Sequence, residues 1–184
     1  MLTLEMLSLS VPRVRSDNPS IAAAIHDASD RSATFRRELE TIQTTDGLVY
    51  ISGGQCGHSV SACLSLSIKV AGPFRLLRVI VNPRAPQCDL MSSIGHELHH
   101  AIEALHDPHV TDMSTMYSFF EREGPTGLGR FETPSALRVG DQVRREVCAR
   151  GQTGVVLSPN TLPRVSSGSP LSAGSDQGNT NGVH

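Results

Sequence analysis

The chain carries no apolar run of membrane-spanning length, no patch of basic residues and no Cys-x-x-Cys pair. The first absence argues against a transmembrane helix. The second, with a net charge of -2 over 184 residues, argues against nucleic acid or an anionic bilayer as partner. The third removes a cysteine-built structural zinc site and a thioredoxin-type redox motif. Lysine is almost missing, Lys69 being the only one, so positive charge is nearly all arginine and no function follows from that. A basic start is also lacking: Met1 to Pro12 is mildly apolar but holds Glu5, which reads poorly as a signal peptide and leaves the compartment unassigned. Cys56 and Cys63 flank a short loop and could pair across it, which would point to an oxidising compartment. The alternative keeps all four cysteines as small buried or idle thiols, and Cys88 and Cys148 receive no role. The length suits one domain with a modest core.

What is present is His96-Glu97-Leu98-His99-His100. Residues four apart on a helix stand one above the other, so His96 and His100 can converge on one zinc ion. Glu97 then sits close enough to take a proton from zinc-bound water, and the metal supplies the nucleophile and the Lewis acid of a hydrolase. The helical setting follows from Leu90, Met91, Ile94, Leu98, Ala101, Ile102 and Leu105, which recur with a helical period between Asp89 and Leu105. His96, His100 and Glu103 fall on another face. Gly95 weakens the helix, a cost that a purely structural helix has little reason to tolerate. The competing reading is a solvated polar face with ordinary histidines.

Around that helix the pattern is α+β. Asn18 to Thr44 reads as helix, with a break near Asp30-Ser32 and a cap at Asn18 or Ser20. Strand-like runs follow at Gly47 to Ser52, Ala62 to Val70 and Phe74 to Val81, making a small three-stranded sheet. In the second run Leu64, Leu66, Ile68 and Val70 alternate as in a half-buried strand. Pro108 ends the motif helix, a second helix spans Thr111 to Glu123, and Gly124 to Gly129 is a loop. A third helix spans Pro134 to Ala149, capped by Thr133. Residues 18–150 form the domain, with 1–17 poorly ordered. Residues 151–184, rich in Ser, Gly, Pro and Asn, are expected to be disordered because they cannot bury enough apolar surface.

This order, helices, small sheet, H-E-x-x-H helix and further helices, resembles the zincin metallopeptidases over residues 18–150. The motif region and Arg130-Phe131-Glu132-Thr133-Pro134-Ser135-Ala136 also resemble a group of small bacterial zincin-like proteins. The resemblance implies a zinc peptidase acting on a peptide or protein substrate, laid along a sheet edge at Arg75 to Asn82 or a neighbouring strand. It also implies a third ligand. Glu132 is the gluzincin-like choice, just before the helix at Pro134, where Ala136 lets two helices approach. His106 is the metzincin-like choice, but a helix continuing to Leu105 carries it about 15 Å along the axis from His96. Glu146, Glu103 or water stay as alternatives, the first also readable as an ion pair with Arg144 or Arg145. Glu103 is better suited to accept a bond from a ligand imidazole. His109 or Tyr117 could stabilise an oxyanion. His26, His58, His99, His109 and His184 otherwise read as surface residues. Two other functions stand beside the peptidase: an inactive zincin-fold metal-binding or regulatory protein, against which intact Glu97 argues, and a non-metal interaction domain with a chance motif. The oligomeric state is not readable.

Overall fold

The computed structural model describes residues 11–57, 60–123, 126–127 and 130–149. Residues 1–10 and the expected disordered tail, 151–184, lie outside the described residues, as does His58. The architecture is α+β, with five helices and a mixed sheet among the described residues.

Helix α1 (Pro19–Arg31) starts where Asn18 accepts from the backbone N–H groups of Ser20 and Ile21. Ser32 then ends α1 in an extended conformation and opens α2 (Ala33–Gln43), its hydroxyl accepting from Phe35 N at 2.9 Å. This single buried serine is the break expected near Asp30-Ser32. Strands β2 (Gly47–Gly53) and β5 (Phe74–Val81) run parallel in register from Gly47↔Arg75 to Gly53↔Val81. Their inward residues Val49, Ile51, Leu77, Val79 and Val81 join Ile21, Phe35, Met91, Ile94 and Leu98 in one core. Tyr50 and Leu76 point the other way and are exposed.

Two features of the sheet depart from the sequence pattern. Val14–Arg15, inside the segment expected to lie outside the domain, forms β1 and pairs parallel with Val49 and Tyr50 of β2. Ala62 to Val70 is not one strand. It makes β3 (Ala62–Leu64) and β4 (Lys69–Ala71), both antiparallel to β5 but at opposite ends of it. Between them Ser65 Oγ accepts from Ser67 N at 3.2 Å, a local bond that replaces ladder pairing and turns the chain. Ile68 therefore enters the core while Val70 is 56% exposed. The β4–β5 turn needs Gly72, whose φ of +59° lies in the left-handed region.

Helix α3 (Gln87–His106) carries the motif without interruption. Its C-terminus is held by Arg75 of β5, a buried arginine whose guanidinium donates to the carbonyls of Ala104, Leu105, Asp107 and Val110. The same group makes a two-bond pair with Asp46 at 2.7 and 2.8 Å. Helix α4 (Met113–Glu123) follows, then a hairpin of β6 (Thr126–Gly127) and β7 (Arg130–Phe131) where a loop was expected. Helix α5 (Pro134–Ala149) is capped by Thr133, whose hydroxyl accepts from Ala136 N at 3.2 Å. No helix among the described residues is long and apolar enough to cross a membrane.

Candidate metal centre

Helix α3 and the β7–α5 junction bring His96, His100 and Glu132 together, with one ligand atom from each lying within 4.8 Å of the others. The two Nε2 atoms are 3.1 Å apart, and Glu132 Oε2 stands 3.1 Å from His96 Nε2 and 3.9 Å from His100 Nε2. Glu132 Oε2 is buried with no hydrogen donor aligned to it. A buried carboxylate oxygen without a hydrogen-bond partner is costly, and two imidazole nitrogens converging on it leave a place suited to a cation. Two imidazoles and one carboxylate form a donor set that could hold a metal ion.

The orientation of His100 is fixed from behind. Its Nδ1 is 2.9 Å from Glu103 Oε2, which makes Nδ1 the donor and turns Nε2 toward Glu132. Glu103 in turn accepts from the hydroxyls of Thr133 at 2.7 Å and Ser135 at 2.6 Å. The helix-packing surface completes the arrangement. A Cβ at Gly140 would stand 3.1 Å from His96 Cβ, and one at Gly95 would stand 2.9 Å from Val143 Cγ2. Gly95 is thus used for packing α3 against α5, and Gly140, one turn beyond the expected Ala136, makes room for the His96 side chain.

These contacts set the charges. Burial disfavours protonated His100, but the carboxylates of Glu103, Glu132 and Glu97 outweigh it and raise its pKa to about 9. Burial acts upward on Glu103, yet His100, Ser135 and Thr133 hold it at about 2. The imidazoles of His100 and His96 hold Glu132 at about 2 against its burial. Burial raises the Glu97 carboxyl above its usual range, opposed by His100 and His96 and by the backbone N–H of Leu64. Glu97 is 5% exposed and faces the same cleft.

That cleft has two hollows sharing Val60, Ala62, Glu97 and Glu132. One, of about 230 Å³, is walled by apolar side chains including Leu64, Leu66, Phe120 and Phe131. The other, of about 210 Å³, is lined by Ser92, Ser93, His96 and Asp141 among others. Strand β3 forms one wall. Cys56 and Cys63 are joined in a disulfide that ties the start of this wall to the loop after β2.

The other candidates stand elsewhere. His106 is exposed in the last turn of α3, because Arg75 lets the helix continue past Glu103. Glu146 neither joins the site nor pairs with the neighbouring arginines. It accepts from Ser32 Oγ, Thr34 N and Thr34 Oγ1 at 2.5, 3.0 and 2.9 Å, locking α5 to the start of α2. His109 is exposed, and neither it nor Tyr117 lines the cleft; Tyr117 packs edge-on against Phe131. His99 is not a free surface residue: its Nδ1 meets the buried Glu38 of α2 at 3.0 Å. The run Arg75 to Asn82 is not a sheet edge, since β5 is paired on both sides. Thr133, Ser135, Gly140, Phe120 and Glu38 carried no signal in the sequence beyond the cap at Thr133.

Compared with protein-family models, curated proteins and solved structures, the chain finds no match in any of the three.

Proposed function

We propose that the chain is a zinc-dependent peptidase in which His96, His100 and Glu132 hold the metal and Glu97 is the general base. The observation that carries this reading is the convergence of ligand atoms of His96, His100 and Glu132, all within 4.8 Å of one another. Zinc held there supplies a Lewis acid for the peptide carbonyl and lowers the pKa of water. Glu97 accepts the proton of the attacking water and returns it to the leaving amine. Its burial supports that role, because a carboxylate with raised pKa is the stronger base. Among the described residues β3 pairs as a strand only with β5, and its Leu64 N–H is given to Glu97, so an extended peptide lying over the cleft would use the rest of that edge. The apolar hollow beside His100 suits a hydrophobic side chain of that peptide.

The test is metal content and hydrolysis measured together. Glu97→Gln should retain zinc and lose nearly all cleavage of a peptide library, since it removes the base and no ligand. Glu132→Gln should weaken zinc binding, and His106→Ala should leave it unchanged. Zinc unaffected by Glu132→Gln, or full cleavage by Glu97→Gln, refutes the assignment.

A further inference from the structure

The two hollows of the cleft differ in chemistry. They meet at Glu97 and Glu132, so a peptide crossing the centre offers each a side chain from opposite sides of the bond being cut. One hollow is apolar. The other lies between α5, where Leu137, Gly140 and Asp141 share a face, and Ser92, Ser93 and His96 of α3. The helices approach closely there. Ser92 Oγ donates to the Gly140 carbonyl at 3.0 Å, and a Cβ on Gly140 would stand 3.1 Å from His96 Cβ. This packing fixes the stretch of α5 that carries Asp141 beside the centre.

Asp141 is exposed and has no partner among the described residues, although three arginines share its helix. Arg144 pairs with Asp89 at 2.5 Å, Arg145 donates to Gln142 at 2.7 Å, and Arg138 lines a separate hollow with Glu103 and Glu123. No arginine or lysine lines either hollow of the cleft. With zinc held, the charge of the ion is matched by the carboxylates of Glu97 and Glu132, which leaves Asp141 as the uncompensated charge. A guanidinium supplies what is missing: it is positive, it carries donors only, and it forks onto a carboxylate through two parallel bonds. Ser92 Oγ, its hydrogen given to Gly140, keeps lone pairs for a further donor.

We infer that the second hollow takes a basic side chain, arginine best, and that Asp141 is the residue that sets this preference. The substrates are then peptides with a hydrophobic residue on one side of the cleaved bond and a basic residue on the other. Lysine brings the charge without the fork and ranks second. This assignment rests on the peptidase reading, since it takes the cleft as the place where a peptide lies.

The experiment measures binding and cleavage separately, both with zinc present. Fluorescent peptides carry leucine on one side of a central bond and arginine, alanine or glutamate on the other, in both orders. Binding is read by anisotropy on full-length Glu97→Gln protein, and cleavage by mass spectrometry on wild type. In the better order, the arginine peptide should bind about fivefold tighter than the alanine peptide, as one partly exposed ion pair allows, and the glutamate peptide weaker than either. The preference should shrink at high salt. Adding Asp141→Asn should bring arginine and alanine to within about twofold, and adding Asp141→Lys should favour glutamate. Equal binding of arginine and alanine peptides overturns the inference, as does an arginine preference that survives Asp141→Asn, or no binding of any peptide. Cleavage by wild type without an arginine preference leaves the peptidase reading standing and the inference refuted. An Asp141-dependent preference in binding without any cleavage does the reverse.

Discussion

Thr133 shows how much of the site depends on single hydroxyls. One oxygen accepts from Ala136 N to cap α5 and donates to Glu103, which orients His100. Thr133→Ala should cost about 1 kcal/mol of unfolding free energy for the lost cap, read from urea denaturation, while Thr133→Ser keeps both bonds. Glu103→Gln should lower zinc affinity by about ten- to a hundredfold, measured by competition with a chromophoric chelator. An unchanged affinity would mean that His100 is oriented by packing alone. At this scale the sequence was readable where chemistry is written in local spacing. His96, Glu97, His100 and Glu103 share one helix, and Glu132 precedes a capped helix start. Gly140 against His96, and Glu38 against His99, were not readable: each is a contact between residues far apart in the chain, and neither type announces its partner.

The helices are held at their ends by groups from other elements. Arg75 binds the last carbonyls of α3, and replacing it with Met strands buried carbonyls and the Asp46 carboxylate. Unfolding in urea should show a loss of about 3 kcal/mol for Arg75→Met; a loss below about 1 kcal/mol would mean that water satisfies the helix end. Glu146 does the same for the start of α2. Burial acts upward on its carboxyl, but Ser32, Gln142 and Thr34 hold it at about 2, below its ordinary 4.5. A depressed folded-state pKa stabilises the fold fully above pH 4.5, progressively less as pH falls, and not at all below about 2. Glu146→Gln should therefore be less stable than wild type by about 1 kcal/mol at neutral pH, with the gap closing toward pH 2. A gap independent of pH would assign the effect to shape and not to charge. The helices α1, α2, α3 and α5 were legible because caps and prolines mark their ends. The sheet was less so: β1 has only two residues, and the alternation from Leu64 to Val70 continues through a turn made by Ser65.

At the scale of the molecule, the candidate metal centre joins the middle of the chain to the segment that leads into its last described helix. His96 and His100 belong to α3, whose other faces pack on the sheet, α1 and α2, while Glu132 opens α5, which packs on α3. A metal that needs all three ligands binds the folded chain and not the unfolded one, so it must stabilise the whole domain. At free zinc a hundredfold above Kd the gain is about 2.7 kcal/mol. For a domain of this size that raises the thermal midpoint by roughly 5–10 °C. The rise should appear in wild type on adding zinc, reverse with a chelator, and vanish in His96→Ala/His100→Ala. Glu97→Gln provides the decisive control, because Glu97 lies in the cleft but is not one of the three converging ligands. If Glu97→Gln keeps the rise while losing hydrolysis, binding and chemistry are separate properties of neighbouring residues on one helix. If it loses the rise as well, Glu97 is a ligand, and the division of labour between the histidines and the glutamate between them is wrong.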